Sequence, residues 1–169
     1  MRLDALELAR RLRAIRLLAV DVDGTLTDGR LWYGPDGETV KAFHVHDGLG
    51  LKRLLTHGLE VAVVTARNTS IVTRRMADLG ISRCIQAAND KGASMRALQH
   101  ELGLTPEQCA FVGDDLPDLS AFAASGLGFA VADAQSAVRD AAHWVTRTNG
   151  GCGAVREVCE LLLVAQGLH

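Results

Sequence analysis

The sequence Asp21-Val22-Asp23-Gly24-Thr25-Leu26-Thr27 is the most informative stretch of this chain of 169 residues. It directly follows the apolar run Leu17-Leu18-Ala19-Val20, which is too short for a helix and is typical of a buried parallel strand. We therefore expect Asp21 and Asp23 at the carboxyl end of that strand, where open α/β sheets bind ligands. This pattern predicts Asp21 as a nucleophile towards a phosphoryl group and Asp23 as the general acid and base.

Two further side chains are predicted to bind the phosphoryl group and to complete the catalytic set. Thr65 follows the apolar run Val61–Val64, and its hydroxyl can donate a hydrogen bond to a phosphoryl oxygen. Lys91 begins a predicted helix after Asn89-Asp90. Its ammonium group and the amino end of the helix both favour an anion.

A segment rich in carboxylates, Gly113-Asp114-Asp115-Leu116-Pro117-Asp118, follows another apolar run and predicts a metal site. Mg²⁺ prefers oxygen ligands in an octahedron and retains several waters. The predicted ligands are the carboxylates of Asp21 and Asp114 and the backbone carbonyl of Asp23.

The other two carboxylates of this segment are predicted to support the site. Asp115 either hydrogen-bonds to groups around the metal or caps a helix. For Asp118 the sequence leaves three roles open: a direct metal ligand, a partner for a metal-bound water, or a group that orients Lys91.

Short apolar runs alternate with segments of helical periodicity along most of the chain, which favours an α/β fold with a doubly wound, mainly parallel sheet. The predicted strands lie near 17–20, 61–64, 110–112 and 128–131, and the predicted helices near 3–16, 50–57, 69–79, 91–102, 116–124 and 154–165. Residues 1–169 are expected to form a single domain. Only 42 positions separate Asp23 from Thr65 and 26 separate Thr65 from Lys91, so no cap domain is expected.

The alternation is interrupted at about residues 30–45, where Pro35-Asp36-Gly37-Glu38 separates two segments of strand character and predicts a β-hairpin insertion. A lone hairpin is marginal in water, so its apolar side chains should pack on the parent domain or on hairpins of other subunits. A site without a cap is open to water, which weakens electrostatic catalysis. Either a macromolecular substrate or a neighbouring subunit must then cover it, and the hairpin favours the subunit.

Taken in order, the motifs DxDGT, strand-end Thr, Lys and GDDxxD resemble the haloacid dehalogenase superfamily of phosphotransferases. A closer similarity, to 3-deoxy-D-manno-octulosonate 8-phosphate phosphatases, involves further segments: Asp28-Gly29, Gly37-Glu38, Lys41–Val45, Asp47–Gly50, Val131–Ala134, Val145-Thr146 and Gly153–Val158. That resemblance implies a Rossmann-like fold and a magnesium-dependent cytoplasmic homotetramer. It also implies removal of phosphate from an eight-carbon sugar acid in lipopolysaccharide biosynthesis.

The predicted substrate contacts follow from this resemblance and from the chemistry of a sugar acid. Besides Asp23 and Lys91 they are His44, His46, Asp47, Gly48, Lys52, Arg67 and Arg75. The substrate carboxylate requires a cation, for which Arg67 is the first candidate and Arg75 the second. The two histidines fit the role of polar edge-strand residues equally well. Two positions depart from the family pattern, because His46 stands where arginine is expected and Cys152 where a basic residue is expected.

Composition and charge exclude several other classes of protein. With 18 basic and 20 acidic residues the net charge is −2, so neither nucleic acid nor an anionic membrane is an expected partner. No apolar run approaches the roughly 20 residues of a membrane span, and the first residues lack the apolar segment of a signal peptide. The four cysteines form no Cys-x-x-Cys pair, which argues against a zinc ribbon. These features predict the cytoplasm.

Two alternative functions stay open at this point. One is a phosphatase for another sugar acid, such as a nine-carbon 9-phosphate. The other is a non-catalytic assembly or regulatory domain, against which the complete set of Asp21, Asp23, Lys91 and Asp114 argues. A calcium loop of the EF-hand kind is excluded, because Leu26 stands where that loop needs glycine.

Overall fold

Six short strands pair side by side in the computed structural model of the protein, which describes residues 3–168. They are β1 (Leu17–Val20), β4 (Glu60–Val64), β5 (Arg83–Ile85), β6 (Cys109–Gly113), β7 (Leu127–Ala130) and β8 (Trp144–Val145). The order across the sheet is β5-β4-β1-β6-β7-β8, and every pair is parallel. This arrangement confirms the predicted doubly wound parallel sheet.

Strand β1 lies at the centre of the sheet and is fully buried. Leu17 pairs with Glu60 on one side and Cys109 on the other, and Val20 pairs with Val63 and Val112. All four residues of β1 are inaccessible to solvent, as a continuous apolar run predicts for a strand covered on both faces. The chain order reverses on either side of β1, and ligands of such sheets bind at this switch point.

Helices flank the sheet and bury their apolar faces against it. They are α1 (Ala5–Ala14), α2 (Val45–Thr56), α3 (Ser70–Leu79), α4 (Lys91–Leu102), α5 (Leu119–Ala123), α6 (Ser136–Ala141) and α7 (Ala154–Ala165). Helix α7 contacts both α1 and α2, and α4 contacts α5. The predicted helices at 91–102 and 154–165 are confirmed with these bounds, and Thr69 proves to be the N-cap of α3, accepting a hydrogen bond from the Ile71 N–H.

The predicted insertion is a two-stranded antiparallel hairpin of β2 (Trp32–Gly34) and β3 (Gly37–Val40), separate from the main sheet. The prediction that its second strand continues to Val45 is wrong. The chain leaves β3 at Val40 and begins α2 at Val45, because the ring of His44 accepts a hydrogen bond from the His46 N–H and caps the helix. The two histidines therefore belong to the start of α2 and not to a strand.

Two outer strands, β5 and β8, were not predicted. They are three and two residues long, lie at the edges of the sheet and are only partly buried, so they lack the continuous apolar run that marks the inner strands. Between β1 and β4 the chain contains only the hairpin and α2, so no cap domain is present in the part of the chain that the structure describes. Within those residues, no helix has the length and apolar character to cross a membrane.

Candidate active site

The site is built on the carboxyl end of β1, where the chain turns sharply after the strand. Asp21 is almost fully buried and extends the sheet pairing, since its N–H donates to the carbonyl of Val112 at 3.0 Å. Gly24 has a φ of +89°, and a Cβ atom there would lie 2.1 Å from an oxygen of Asp114. Only glycine therefore allows the turn to bring the β1 motif against the β6 motif.

Lys91 is a buried cation between two of the carboxylates. Its Nζ lies 2.8 Å from Asp21 Oδ1 and 2.5 Å from Asp118 Oδ1. The lysine is the first residue of α4, whose N-cap is Asp90, so the amino end of this helix and the ammonium group both face the site. A phosphoryl group next to Asp21 would therefore meet a fixed positive charge.

The other oxygen of Asp118 accepts hydrogen bonds from the backbone N–H groups of Asp114 and Asp115, at 2.8 and 3.1 Å. Both oxygens of Asp118 therefore have hydrogen-bond partners, one in Lys91 and the other in the loop that carries Asp114. This geometry suits a carboxylate that orients Lys91. Asp115 accepts the N–H of Leu116 at 2.7 Å and caps the short turn that follows. Both side chains fix the loop after β6.

Three carboxylates, those of Asp21, Asp114 and Asp118, offer oxygen atoms that all lie within 4.8 Å of one another. Lys91 compensates only one of these charges, and Thr25 donates a hydrogen bond to Asp114 at 3.0 Å. Oxygen ligands and an excess of negative charge are what a hard divalent cation requires, so the residues present fit Mg²⁺.

Burial and the charges of neighbouring carboxylates raise the pKa values of Asp21 and Asp114 in the protein alone. Burial and the charge of Asp118 raise the pKa of Asp21 to about 8, although Lys91 opposes the shift. The same two causes raise the pKa of Asp114 to about 6. For Lys91, burial lowers the pKa, but the charges of Asp21 and Asp118 outweigh it and the net shift is upward. The cluster is therefore short of positive charge.

Asp23 stands apart from these carboxylates and faces the hairpin. Its Oδ1 pairs with Lys41 Nζ, and Lys41 also contacts Glu38 Oε1 at 2.7 Å. Arg67 lies on the other side, 3.8 Å from Asp23 Oδ2 and 3.3 Å from Glu38 Oε2. Neither Lys41 nor Glu38 was among the predicted site residues, although both lie in segments that resemble the phosphatase family.

A cleft of about 180 Å³ opens between these groups. The predicted site residues that line it are Asp21, Asp23, Thr65, Arg67, Lys91, Asp114, Asp115 and Asp118. Thr65 is 2% exposed at the end of β4, where its hydroxyl accepts the N–H of Arg67 at 3.3 Å. The four sequence motifs therefore meet at one place, as their positions at strand and helix ends predict.

The chain resembles known proteins over nearly its whole length. A family profile of haloacid dehalogenase-like hydrolases matches residues 84–158. The 3-deoxy-D-manno-octulosonate 8-phosphate phosphatase of Haemophilus influenzae is 46% identical over 158 residues, which is 94% of this chain and 88% of the relative. That of Escherichia coli strain K12 is 48% identical over 153 residues, 90% of this chain and 81% of the relative. The chain belongs to the 3-deoxy-D-manno-octulosonate 8-phosphate phosphatase family.

Two solved structures of this phosphatase family contain a bound metal. The Moraxella catarrhalis enzyme, in complex with a magnesium ion, a phosphate ion and a KDO molecule, aligns with a TM-score of 0.93 at 43% identity, covering 96% of this chain and 94% of that one. The cobalt-bound Haemophilus influenzae enzyme aligns with a TM-score of 0.91 at 46% identity, covering 93% and 92%.

Several of the substrate contacts predicted for this chain lie outside the cleft. Asp47 is 1% exposed, and its carboxylate accepts the backbone N–H groups of Gly153 and Arg156 at 3.2 and 2.7 Å. Gly48 lies against the guanidinium of Arg75. Lys52 is exposed on α2.

Arg75 and the two histidines are also placed away from the cleft. The guanidinium of Arg75 lies 5.7 Å from the centre of the Phe43 ring, and its buried Nε has no hydrogen-bond partner among residues 3–168. His44 and His46 make an edge-to-face contact, with ring centroids 4.8 Å apart. Among the residues that the structure describes, therefore, only Asp23, Arg67 and Lys91 of the predicted substrate contacts line the cleft.

The loop that contains Cys152, the second departure from the family pattern, packs directly against the turn after β1. Gly151 donates its N–H to the carbonyl of Thr25 at 2.9 Å, and a Cβ atom at Gly150 would lie 1.7 Å from the carbonyl oxygen of Gly24. Cys152 is exposed on this loop. The cysteine is therefore placed near the motif but does not enter its hydrogen bonds.

Proposed function

We propose that this protein is a magnesium-dependent phosphatase that hydrolyses 3-deoxy-D-manno-octulosonate 8-phosphate to the free sugar acid and phosphate, a reaction of lipopolysaccharide biosynthesis. The proposal rests above all on the ion pair between buried Asp21 and Lys91 at the carboxyl end of β1, next to a second pair of carboxylates. The 43–48% identity to phosphatases named for this substrate supports the choice of sugar acid.

In the first step a carboxylate oxygen of Asp21 attacks the phosphorus atom and forms the aspartyl-phosphate. The bond between phosphorus and the sugar oxygen breaks, and its electron pair moves to that oxygen. Asp23 donates the proton that the departing sugar oxygen takes up. Lys91, held by Asp118 at 2.5 Å, is positioned next to the phosphoryl oxygens from the start, so no reorientation of the cation is needed.

In the second step the roles of the two aspartates are reversed. Asp23, now ionised, removes a proton from water, whose oxygen attacks the phosphorus atom. The bond between phosphorus and Asp21 breaks, and its electron pair returns to the Asp21 carboxylate. Phosphate leaves, and Asp23 again carries the proton, so the enzyme is restored.

Asp21, Asp114 and the backbone carbonyl of Asp23 are the proposed ligands of Mg²⁺. A bound magnesium ion supplies positive charge that offsets the phosphoryl oxygens and the ionised carboxylates. Asp118 is proposed to hold Lys91 and the loop after β6, since both its oxygens already accept hydrogen bonds from these groups.

Recognition of the sugar acid is proposed to involve more than one subunit. A cleft of about 180 Å³ is smaller than the roughly 300–1,000 Å³ of most ligand sites, so it takes the phosphate and leaves most of the sugar outside. Arg67 is the proposed partner of the substrate carboxylate in the same subunit. His44, His46, Lys52 and Arg75 are proposed to reach the sugar only across a subunit contact. Asp47 and Gly48 are buried, so any effect of these two on the sugar is proposed to be indirect.

We propose a homotetramer in which the hairpin closes the neighbouring site. Six large apolar side chains on and beside the hairpin are exposed in the single chain: Leu31, Trp32, Tyr33, Val40, Val45 and Leu49. An exposed apolar patch of this kind is typical of an interface. We further propose that residues 1–169 act as one domain and that the enzyme works in the cytoplasm.

Steady-state kinetics on a panel of phosphorylated sugar acids tests this function. We expect magnesium-dependent release of phosphate, with the highest kcat/KM for the eight-carbon 8-phosphate. A higher kcat/KM for a nine-carbon 9-phosphate would instead support the alternative substrate. No hydrolysis of any phosphate ester, with the folded protein and Mg²⁺ present, would leave only the assembly role.

A further inference from the structure

The hairpin places a buried lysine on the proposed acid and base. Lys41 is the first residue after β3, and its side chain is completely inaccessible to solvent. Its Nζ contacts Oδ1 of Asp23 and lies 2.7 Å from Glu38 Oε1. A cation is buried only at a cost unless it is paired, and here both partners are carboxylates. The two ion pairs therefore fix the position of the Lys41 ammonium group, which in turn holds Oδ1 of Asp23.

The second oxygen of Asp23 is in a different situation. Asp23 Oδ2 is buried but has no hydrogen-bond partner among the residues that the structure describes, and Arg67 Nε stays 3.8 Å away. Asp23 itself lines the cleft, together with Asp21 and Lys91. One oxygen of the carboxylate is thus held by the lysine, while the other has no partner of its own.

Glu38 explains why the lysine takes up this position. Its two oxygens pair with Lys41 and with Arg67, the latter at 3.3 Å, and Arg67 also donates a hydrogen bond to the hydroxyl of Tyr33 at 3.1 Å. Arg67, Glu38, Lys41 and Asp23 therefore form a chain of alternating charges, to which the hairpin contributes Glu38. The large apolar side chains of the hairpin stay exposed.

We propose that Lys41 is a positioning residue: it holds Oδ1 of Asp23 so that Oδ2 faces the leaving oxygen of the substrate. This inference rests on the proposed function, since it assigns Lys41 to the proton transfer of that reaction. A misplacement of about 1 Å at a reacting group can cost about 10²-fold in rate. Loss of the lysine should therefore slow only the steps in which Asp23 transfers a proton.

The choice of leaving group separates this role from a structural one. A sugar alkoxide needs a proton in order to leave, whereas p-nitrophenolate leaves without one. We measure kcat/KM, which reports the steps up to departure of the leaving group, for the eight-carbon sugar acid phosphate and for p-nitrophenyl phosphate. For Lys41→Met we expect a loss of about 10²-fold with the sugar phosphate and less than about 3-fold with the aryl phosphate. Asp23→Asn should show the same selectivity.

Two further variants make the result decisive. Lys41→Arg keeps a cation beside Asp23 and should recover part of the activity on the sugar phosphate. Arg83→Met is the matched control, because Arg83 also lies between two carboxylates, Glu60 at 2.7 Å and Glu101 at 3.1 Å, but away from the cleft. It should leave both rates unchanged.

An equal loss with both substrates, from misfolding or any other general effect, overturns the positioning role, and so does an unchanged rate with both. Failure of the proposed function has a different signature, because it appears in the wild-type protein as no hydrolysis of the sugar acid phosphate. In that case the same comparison is made with whichever alkyl phosphate the wild-type protein hydrolyses.

Discussion

At the residue scale, Lys91 is shared between Asp21 and Asp118, while Asp114 is brought close by the turn at Gly24. The lysine fixes Asp21, the proposed nucleophile, but it cannot neutralise three carboxylates. In the proposed function the site therefore binds the phosphoryl group through one fixed cation and needs a second positive charge, which Mg²⁺ supplies. The consequences for single substitutions follow directly.

The nucleophile and the acid should differ in how far their loss slows the enzyme. Asp21→Asn removes the atom that bonds to phosphorus, so we expect no turnover while the fold is retained. Asp23→Asn removes only proton transfer and should cost about 10²- to 10⁴-fold in kcat. Phosphate release and circular dichroism measure the two effects. Near-normal turnover by the Asp21→Asn protein would contradict the mechanism.

Binding of Mg²⁺ should depend on pH in a defined direction. A carboxyl with a raised pKa favours the folded state while it is protonated, and this contribution is lost as the pH rises through the folded-state pKa. Without metal, the folded state therefore loses stability as the pH rises from the ordinary carboxyl pKa of 3.8 to about 6 for Asp114 and to about 8 for Asp21. Since the metal binds the ionised carboxylates, the rise in Tm caused by Mg²⁺ should grow over the same range.

Thermal unfolding with Mg²⁺ or with a chelator, at about pH 5 and about pH 8, measures this dependence. The metal should raise Tm clearly at the higher pH and little at the lower. Asp114→Asn is the control, because it removes one proposed ligand and should abolish the shift. A shift of the same size at both pH values would contradict the assignment of these carboxylates.

At the element scale, two helices distant in sequence are joined by one buried carboxylate. Asp47 in the first turn of α2 accepts the N–H groups of Gly153 and Arg156 at the start of α7. The loop before α7 in turn lies on the turn after β1, through the hydrogen bond from Gly151 to Thr25. The position of the catalytic turn therefore depends on this contact between α2 and α7.

Removal of the Asp47 carboxylate should destabilise the fold. Asp47→Ala leaves buried N–H groups without partners and should lower the free energy of unfolding by about 1–3 kcal/mol, measured by urea denaturation. Asp47→Asn keeps one acceptor oxygen and should cost less. If Asp47→Ala raised KM for the sugar acid with no change in stability, its principal role would be substrate binding.

At the scale of the whole molecule, the cleft of a single chain has a volume of only about 180 Å³ and the hairpin exposes an apolar surface. One event, association through the hairpins, would cover the surface and close the site. The inner face of the same hairpin contributes Glu38 and Lys41 to the network around Asp23. In the proposed function, one small element would thus connect assembly with acid catalysis.

Disruption of the exposed hairpin surface should separate the subunits. Trp32 is 55% and Val40 53% exposed, and the two residues pair across the hairpin. We expect Trp32→Glu with Val40→Glu to give a smaller species by light scattering and a lower kcat/KM for the sugar acid. Leu6→Glu, at a highly exposed position on α1, is the control and should leave the mass unchanged. A wild-type enzyme that is active as a strict monomer would contradict the subunit lid.

The parallel sheet, the hairpin and the side chains that meet in the cleft were predictable from sequence, because each depends on local patterns. A buried strand shows as an apolar run, and chemistry at strand ends shows as polar residues directly after it, as at Asp21, Thr65 and Asp114. The edge strands β5 and β8 were missed because they are short and half-buried, and the start of α2 because its first turn is polar.

Sequence alone determined which residues carry charge and which segments are buried, since both are properties of local composition. Only the tertiary structure decided which charges meet. Lys41 and Asp23 are eighteen residues apart, and Asp47 and Arg156 are 109 apart. Such pairs form because the strand order and the hairpin bring distant segments together, and no local pattern encodes that contact. The same physical reason places Arg67 beside Glu38 and leaves Asp47 outside the cleft.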